Sequence, residues 1–581
     1  MNEVKIEING VELSAPADLT ILQAARLVDV DIPTLCHLDL HNPQVAFKEA
    51  SCRVCMVEIE GRKNLAPACI TTITEGMRVK TSTPRAIRAR RTSVELLLSD
   101  HPQDCLVCEK NQNCDLQQLA AKLGLRNELK YQGAVSCYEK DCSSNSIQRN
   151  PDKCVLCRRC EIMCNDFQTC GVLSAVGRGF ETIIKPPFGL PMMETACTFC
   201  GQCVAVCPTA ALSEMSVVSE VWDAINNPDK FVVVQTAPAV RVALGEEFGM
   251  EPGQAVTGKM VALLRKLGFD RVFDTDFAAD LTIIEEASEF VHRLQHNGIL
   301  PILTSCCPAW VKFFEHQFPD LMAIPSSCKS PHEMFGAIAK SYYCEKFGID
   351  PQRLIVVSVM PCLAKKYEAA RPELSNKGSR NVDYVITTRE LAKMAKEAAI
   401  DFKVLEDEVF DNPLGESTGA SVIFGATGGV IEATLRTAYE WLTETTLEKV
   451  DFEELRGMKG IKSATVKING MDVRIAVAHG LGNARTLLES IRDGSCRYHA
   501  IEIMACPGGC VGVGGQPYHH GDIEVLKART RAIYNEDRNK TLRKSHENPY
   551  VQELYKEFLG KPYQDKAIKF LHTHYTEREN I

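Results

Sequence analysis

Ile299-Leu-Pro-Ile-Leu-Thr-Ser-Cys-Cys-Pro-Ala-Trp310 contains the unit from which the larger part of this chain is built: an apolar run followed by a loop of unusual chemistry. The loop carries two adjacent cysteines, Cys306 and Cys307, and Pro308 behind them ends any helix. Neighbouring side chains on extended backbone point to opposite sides, so two thiols placed in this way do not share one task. One is expected to be a metal ligand and the other to do something else.

The same unit recurs on either side. Phe231-Val-Val-Val-Gln235 precedes Ala237-Pro238-Ala239, Leu354-Ile-Val-Val-Ser-Val359 precedes Met360-Pro361-Cys362, and Ser421-Val-Ile-Phe424 precedes Gly425-Ala-Thr-Gly-Gly429. Ala500-Ile-Glu-Ile-Met504 precedes Cys506 and Cys510. Strand-like runs alternating with helix-like segments predict parallel α/β sheets, whose ligands sit beyond the carboxyl ends of the strands. Every unusual residue here falls at that end. Omitting one of the adjacent pair leaves four thiolates, enough for one [4Fe-4S] cluster drawn from three loops. The glycines around Cys510 would let backbone approach a bulky inorganic group closely.

The chain has 581 residues and a formal net charge of -9. Its length predicts roughly three to five domains, and its mild acidity argues against a nucleic-acid surface. No secretory or twin-arginine start and no uncharged apolar stretch long enough to span a bilayer is present, so a soluble, cytoplasmic protein is expected. That compartment keeps thiols reduced, so 26 cysteines point to metal and not to a disulfide framework. They are unevenly spread, most of them before residue 208.

Lys5-Ile-Glu-Ile-Asn-Gly-Val-Glu-Leu13 alternates apolar and polar residues around Asn-Gly, a hairpin signal, and a helix-like run from Leu19 to Val28 follows. Cys36, Cys52, Cys55 and Cys69 then suit a [2Fe-2S] cluster. A zinc knot is the alternative, but the β-rich frame resembles a plant-type ferredoxin domain with a longer loop from His37 to Ser51. Thr83 is expected to cap a helix from Pro84 to Ser99. Beyond it, His101, Cys105, Cys108 and Cys114 form a His/Cys3 set whose imidazole should raise its potential. Two runs of Cys-x2-Cys-x2-Cys-x3-Cys come next. In such doubled runs the fourth cysteine ligates the other cluster, so Cys154, Cys157, Cys160 and Cys207 are assigned to one [4Fe-4S], and Cys197, Cys200, Cys203 and Cys164 to the second. Similar modules open the large iron-sulfur subunit of respiratory complex I and some formate dehydrogenases, so the relay alone names no reaction.

TSCCPAW at Thr304, MPCLAKKYE from Met360 to Glu368, and EIMACPGGCVGVGGQP from Glu502 to Pro517 resemble, in order, the three signatures of [FeFe]-hydrogenases. The relay before them is similar to that of the long family members with four accessory clusters. The resemblance covers essentially the whole chain. It implies an α+β multidomain architecture: a β-grasp [2Fe-2S] domain at 1–80, a His-ligated [4Fe-4S] segment at 81–135, a double [4Fe-4S] ferredoxin-like domain at 136–218, and a catalytic α/β domain with a helical tail at 219–581. Two mainly parallel sheets are expected around the catalytic H-cluster. The resemblance implies that this cluster is a [4Fe-4S] unit on Cys307, Cys362, Cys506 and Cys510, joined through Cys510 to a two-iron unit with CO, cyanide and an azadithiolate bridge.

By the same resemblance, Cys306 is the proton donor, Lys365 bonds one cyanide, and the loop at Pro238 and Ala239 receives the other. Some relatives have serine where this chain has Ala239. A free cysteine, with an unperturbed pKa of about 8.5, is a reasonable relay. Glu286, Glu289 and Arg293 share a face of the helix predicted after Ala279. Alone they read as a solvated stripe; the resemblance makes them the path to solvent, with Ser326 between the two glutamates. Met360, Phe424 and Met504 are expected to shield the two-iron unit from water. Many relatives have glutamine at His332. Cys137, Cys142, Cys170, Cys328, Cys344 and Cys496 have no assigned role; burial as small apolar residues is the default for most of them, and a redox pair at Cys137 and Cys142 is the alternative.

The charged, helix-like tail from Asp522 reads as a solvated face or a strap over the catalytic domain. It resembles the tails of hydrogenase subunits that assemble with NAD(P)H-oxidising flavoprotein and iron-sulfur partners. Ferredoxin is the other expected electron partner, with H2 and protons as substrates. The competing readings are a sensory relative, and an iron-sulfur assembly relative that lacks the two-iron unit.

Overall fold

The computed structural model describes residues 3–38, 50–125, 131–376 and 378–579. Most of the loop expected between His37 and Ser51 lies outside the described residues. Asn9 and Gly10 both adopt positive φ, 49° and 88°, which the tight turn between Glu3–Ile8 and Val11–Pro16 requires. Met56–Ile59, Ala66–Pro67 and Arg78–Lys80 complete a five-stranded sheet. The helix Ile21–Arg26, shorter than its sequence pattern, starts at a capping box of Thr20 and Gln23 and buries Ile21, Leu22, Ala24 and Ala25.

Thr83 caps the helix Pro84–Ser99 by accepting from the Ala86 N–H. Ile147–Arg149 pairs antiparallel with Leu212–Glu214, closing the cysteine-rich segment between them into one unit.

The larger part contains two four-stranded sheets. In the first, Arg271–Asp274, Phe231–Thr236, Leu354–Val359 and Tyr384–Ile386 lie side by side, all parallel. Burial on both faces of the central strands explains the apolar runs Val232–Val234 and Leu354–Val357. In the second, Ile302–Leu303, Ala500–Met504 and Met471–His479 run parallel, and Ile461–Ile468 joins antiparallel through the Asn469-Gly470 turn. The helix Thr275–Gln295 is buried along nearly its whole first three-quarters. The strand ends converge beside it.

Two readings are corrected. Ser421–Phe424 is not a strand: Gly419–Val422 is helical and Ile423–Gly425 forms a single tight turn. A four-residue apolar run is buried equally well as strand or helix, so its composition does not choose. Pro308 opens a helix, Pro308–Gln317, occupying the first position, where a missing N–H costs nothing. Cys307 just before it is extended, with φ -97° and ψ 105°.

Candidate functional site

Cysteines gather at successive points along the chain. In the first domain Cys55 Sγ lies 3.3 Å from Cys69 Sγ. The Cys36 thiol is pulled down to about 5 by its hydrogen bond with Cys52, which outweighs burial. His101, Cys105, Cys108 and Cys114 lie between the helices Pro84–Ser99 and Asp115–Lys122, and Cys114 immediately precedes the second. Nδ1 of His101 is buried with no partner.

The doubled runs enclose two separate cavities. Cys154, Cys157, Cys160 and Cys207 line one. Cys164, Cys197, Cys200 and Cys203 line the other, together with Cys170. The fourth cysteine of each run therefore faces the cavity of the opposite run. A single apolar cluster contains Cys36, Val94, Leu116, Leu119 and Cys157, with Cys52 and Cys114 packed against it. Three of the four thiol groups thus share one continuous patch of core.

The fifth gathering lies at the strand ends. A cavity of about 70 Å³ is lined by Cys306, Cys307, Cys362, Cys506 and Cys510. Pro238, His332, Met360, Lys365, Phe424 and Met504 also line it. Its exposed lining is almost wholly carbon and sulfur, although it has room for several waters at 10–15 Å³ each. Burial pushes the Cys362 thiol up to about 12 and the other four above their ordinary value. A coordinating metal deprotonates such thiols outright. Five thiols, apolar walls and the ammonium of Lys365 form a donor set that fits a bulky, anionic iron-sulfur group. The Gly509 N-terminal to Cys510 has φ +90°, and a Cβ there would meet Thr427 N at 2.6 Å, so the loop demands glycine.

Lys365 Nζ donates to the Cys306 carbonyl at 3.1 Å and to Glu368 Oε2 at 2.6 Å. Glu368 also receives Nε2 of His332 at 2.7 Å. The sequence reading missed Glu368 and left His332 unassigned; the signal was the three-residue spacing of Lys365 and Glu368 on one short helix. Ala239 does not line the cavity. It sits behind, in an apolar cluster with Ala279, Phe424 and Met504, because the turn aims Ala237 and Pro238 inward instead.

From the cavity toward the surface, Glu286 is buried, with Oε2 lacking a partner. Burial, then the charges of Glu289 and Glu502, push its carboxyl up to about 8. Cys306 lies close enough for Glu286 to raise its thiol further. Glu289 accepts from Ser326 Oγ at 2.9 Å and pairs with Arg293 at 2.6 Å. Arg293 is half-buried and also bonds the Ile324 carbonyl at 2.7 Å. Of the cysteines without a role, Cys328 and Cys344 are buried, whereas Cys137 and Cys142 are exposed, contrary to the default. Among the described residues, no helix is long and apolar enough to cross a membrane.

The unit closed by Ile147–Arg149 and Leu212–Glu214 meets the five-thiol cavity directly. Cys506 Sγ lies 3.8 Å from the Cys200 carbonyl, and Gln202 Nε2 donates to the Gly512 carbonyl at 3.0 Å.

Residues 230–515 match the family described as iron only hydrogenase large subunit, C-terminal domain, and residues 523–578 match iron hydrogenase small subunit. A 2Fe-2S cluster binding domain matches 1–84, the iron-sulfur binding region of NADH-ubiquinone oxidoreductase G matches 90–128, and a 4Fe-4S binding domain matches 191–213. The chain is 60% identical to the NADP-reducing hydrogenase subunit HndD of Solidesulfovibrio fructosivorans, over the full length of both. It is 40% identical to iron hydrogenase 1 of Clostridium pasteurianum, over 98% of this chain and 99% of that one. Among solved structures, a variant of apo [FeFe]-hydrogenase HydA1 from Chlamydomonas reinhardtii matches with a TM-score of 0.57 and 43% identity, over 62% of this chain and 99% of that chain.

Proposed function

The chain belongs to the iron-only, or [FeFe], hydrogenases, and from that premise we propose how its residues divide the work. The reaction is the reversible joining of two protons and two electrons into H2, with electrons carried through the N-terminal iron-sulfur domains.

Cys36, Cys52, Cys55 and Cys69 hold a [2Fe-2S] cluster, and His101, Cys105, Cys108 and Cys114 hold a [4Fe-4S]. The two cavities of the doubled runs hold the remaining accessory [4Fe-4S] clusters with crossed ligands. The shared apolar patch at Cys36, Cys114 and Cys157 supports this relay, because it keeps the thiol groups adjacent. Cys307, Cys362, Cys506 and Cys510 hold the [4Fe-4S] part of the H-cluster. When bound, that cluster, with its two-iron unit bearing CO, cyanide and azadithiolate, supplies the open metal site at which electrons and protons meet.

The chain's own residues then bind, orient and move protons. Lys365, held by Glu368, presents one ammonium to an otherwise apolar cavity and positions an anionic ligand there. Met360, Phe424, Met504 and Pro238 exclude water. Cys306 holds a proton on Sγ. Glu286, whose raised pKa keeps it protonated near neutrality, exchanges with that thiol. Ser326, Glu289 and Arg293 continue the route outward. The electron partner is an NAD(P)H-oxidising flavoprotein subunit with its own iron-sulfur clusters, or ferredoxin, in a hetero-oligomer; the name of the 60% identical relative supports the first.

The observation that carries this reading is the convergence of five thiols on one apolar cavity, one more than a [4Fe-4S] unit needs. Protein matured with its two-iron unit is expected to show infrared bands of CO and cyanide and to evolve H2 from a low-potential donor. Absence of both in a fully matured sample rejects it.

A further inference from the structure

The C-terminal strap touches the proton route. Leu571–Thr573 pairs with Ser327–Lys329: Cys328 and His572 are bridge partners, Lys329 N–H donates to the Leu571 carbonyl at 2.8 Å, and Thr573 N–H donates to the Ser327 carbonyl at 2.8 Å. This pairing places the His572 ring between two carboxylates of the helix Thr275–Gln295. Its Nε2 lies 2.8 Å from Glu285 Oε2, and its Nδ1 lies 2.7 Å from Ser327 Oγ. Ser327 Oγ is 3.3 Å from Glu289 Oε2, the oxygen that also accepts from Ser326. His572, Glu285 and Glu289 are all buried.

We propose that His572 is a proton-holding branch of the route, loaded from Glu289 through the hydroxyl of Ser327. This rests on the reading that Glu289 carries protons. The groups facing the ring are Glu285, Glu289, Ser327, Cys328, Tyr555 and Tyr563. Glu285 accepts from the Tyr555 hydroxyl and, at 2.8 Å, from the Tyr563 N–H. A carboxylate so placed takes a proton-bearing Nε2 from the ring. Nδ1 of the neutral ring is then a lone pair that accepts the Ser327 hydroxyl.

Loading is balanced. The Glu289 carboxyl gives its proton to Ser327 Oγ, and Ser327 passes its own hydroxyl proton to Nδ1. Glu289 ends as a carboxylate, Ser327 is unchanged, and His572 becomes an imidazolium paired with Glu285. No electron moves. Formation of H2 consumes two protons, and an imidazolium one hydroxyl away from Glu289 keeps the second within reach of the route.

The test uses the full chain matured with its cluster. His572→Gln retains a hydrogen-bonding side chain that holds no proton, and Ser327→Ala cuts the link while leaving the backbone pairing of the strap intact. Both are expected to lower H2 evolution about tenfold, less than the ~10²–10⁴ of an obligatory acid-base group. Both should change the shape of the pH profile in the same way, with the CO and cyanide infrared bands unmoved. Variants that leave the profile as in the parent, or only scale it uniformly, overturn the branch. Cys306→Ala separates the two readings: if it keeps turnover, the main route has failed; if it is inactive while His572→Gln and Ser327→Ala behave as the parent, only the branch has.

Discussion

Lys365 Nζ lies 2.6 Å from Glu368 Oε2, an ion pair buried within a single turn of helix at the edge of the thiol-lined cavity. Removing one partner of such a pair costs about 3–5 kcal/mol, because the other charge is left buried and uncompensated. Glu368→Ala is therefore expected to lower the unfolding midpoint and to reduce loading of the two-iron unit, read by infrared band intensity per protein. Burial opposes ionisation of Glu368, but Lys365 and then His332 hold its carboxyl down at about 2. A carboxyl depressed in the folded state stabilises above its unfolded pKa of about 4.3. The contribution should fade as pH falls from there toward 2. Equal midpoints of parent and Glu368→Ala at pH 7 would contradict the pairing.

Glu286 has the opposite sign. Its folded pKa is raised to about 8, so the folded state holds a proton that the unfolded chain releases. Stability then falls with rising pH by up to ~1.4 kcal/mol per unit through the window from about 4.3 to 8. Glu286→Gln removes this dependence. The variant should gain stability on the parent as pH rises to 8 while losing turnover by ~10²-fold or more. Parallel stability curves across that window would show that the carboxyl ionises normally.

Cys306→Ala and Cys307→Ala should separate the adjacent thiols. The first is expected to keep the H-cluster spectrum and lose turnover by roughly 10²–10⁴-fold, as for a positioned acid-base group. The second should impair cluster assembly, visible as lost iron and lost infrared bands. The reverse pattern would exchange their roles.

For the doubled runs, electron paramagnetic resonance of reduced protein distinguishes crossed from uncrossed ligands. Cys207→Ala and Cys160→Ala should disturb one signal, and Cys164→Ala and Cys200→Ala the other, following the two cavities. If Cys207→Ala instead disturbs the signal affected by Cys200→Ala, the ligands are not crossed.

What the chain made legible follows from range. The hairpin at Asn9-Gly10 and the cap at Thr83 are local events, and local residues specify them. The strand ends at Leu303, Val359 and Met504 were readable because buried parallel strands are continuously apolar and the cysteines mark where they stop. Ser421–Phe424 failed because four apolar residues carry no period. The strand pair Ile461–His479, exposed along much of its first strand, was not anticipated although Asn469-Gly470 announces its turn. His332 and Ser327 escaped for another reason: each gains its role from a residue far away in sequence, Glu368 and His572 respectively, and no spacing rule reports that. Ala239 lies behind the wall that Ala237 and Pro238 form, and nothing in the local sequence says which residue of that turn faces inward.

Backbone meets backbone where the relay joins the catalytic domain: a Cβ on Gly514 would stand 2.4 Å from the carbonyl oxygen of Gly201. The relay unit is therefore part of the wall behind Cys506 and Cys510, and its removal would expose what the wall seals. Exchange of electron-transfer modules between homologues is constrained accordingly. A transplanted module must supply a residue at position 201 whose carbonyl the Gly514 loop tolerates, so the two halves of the joint have to be inherited together.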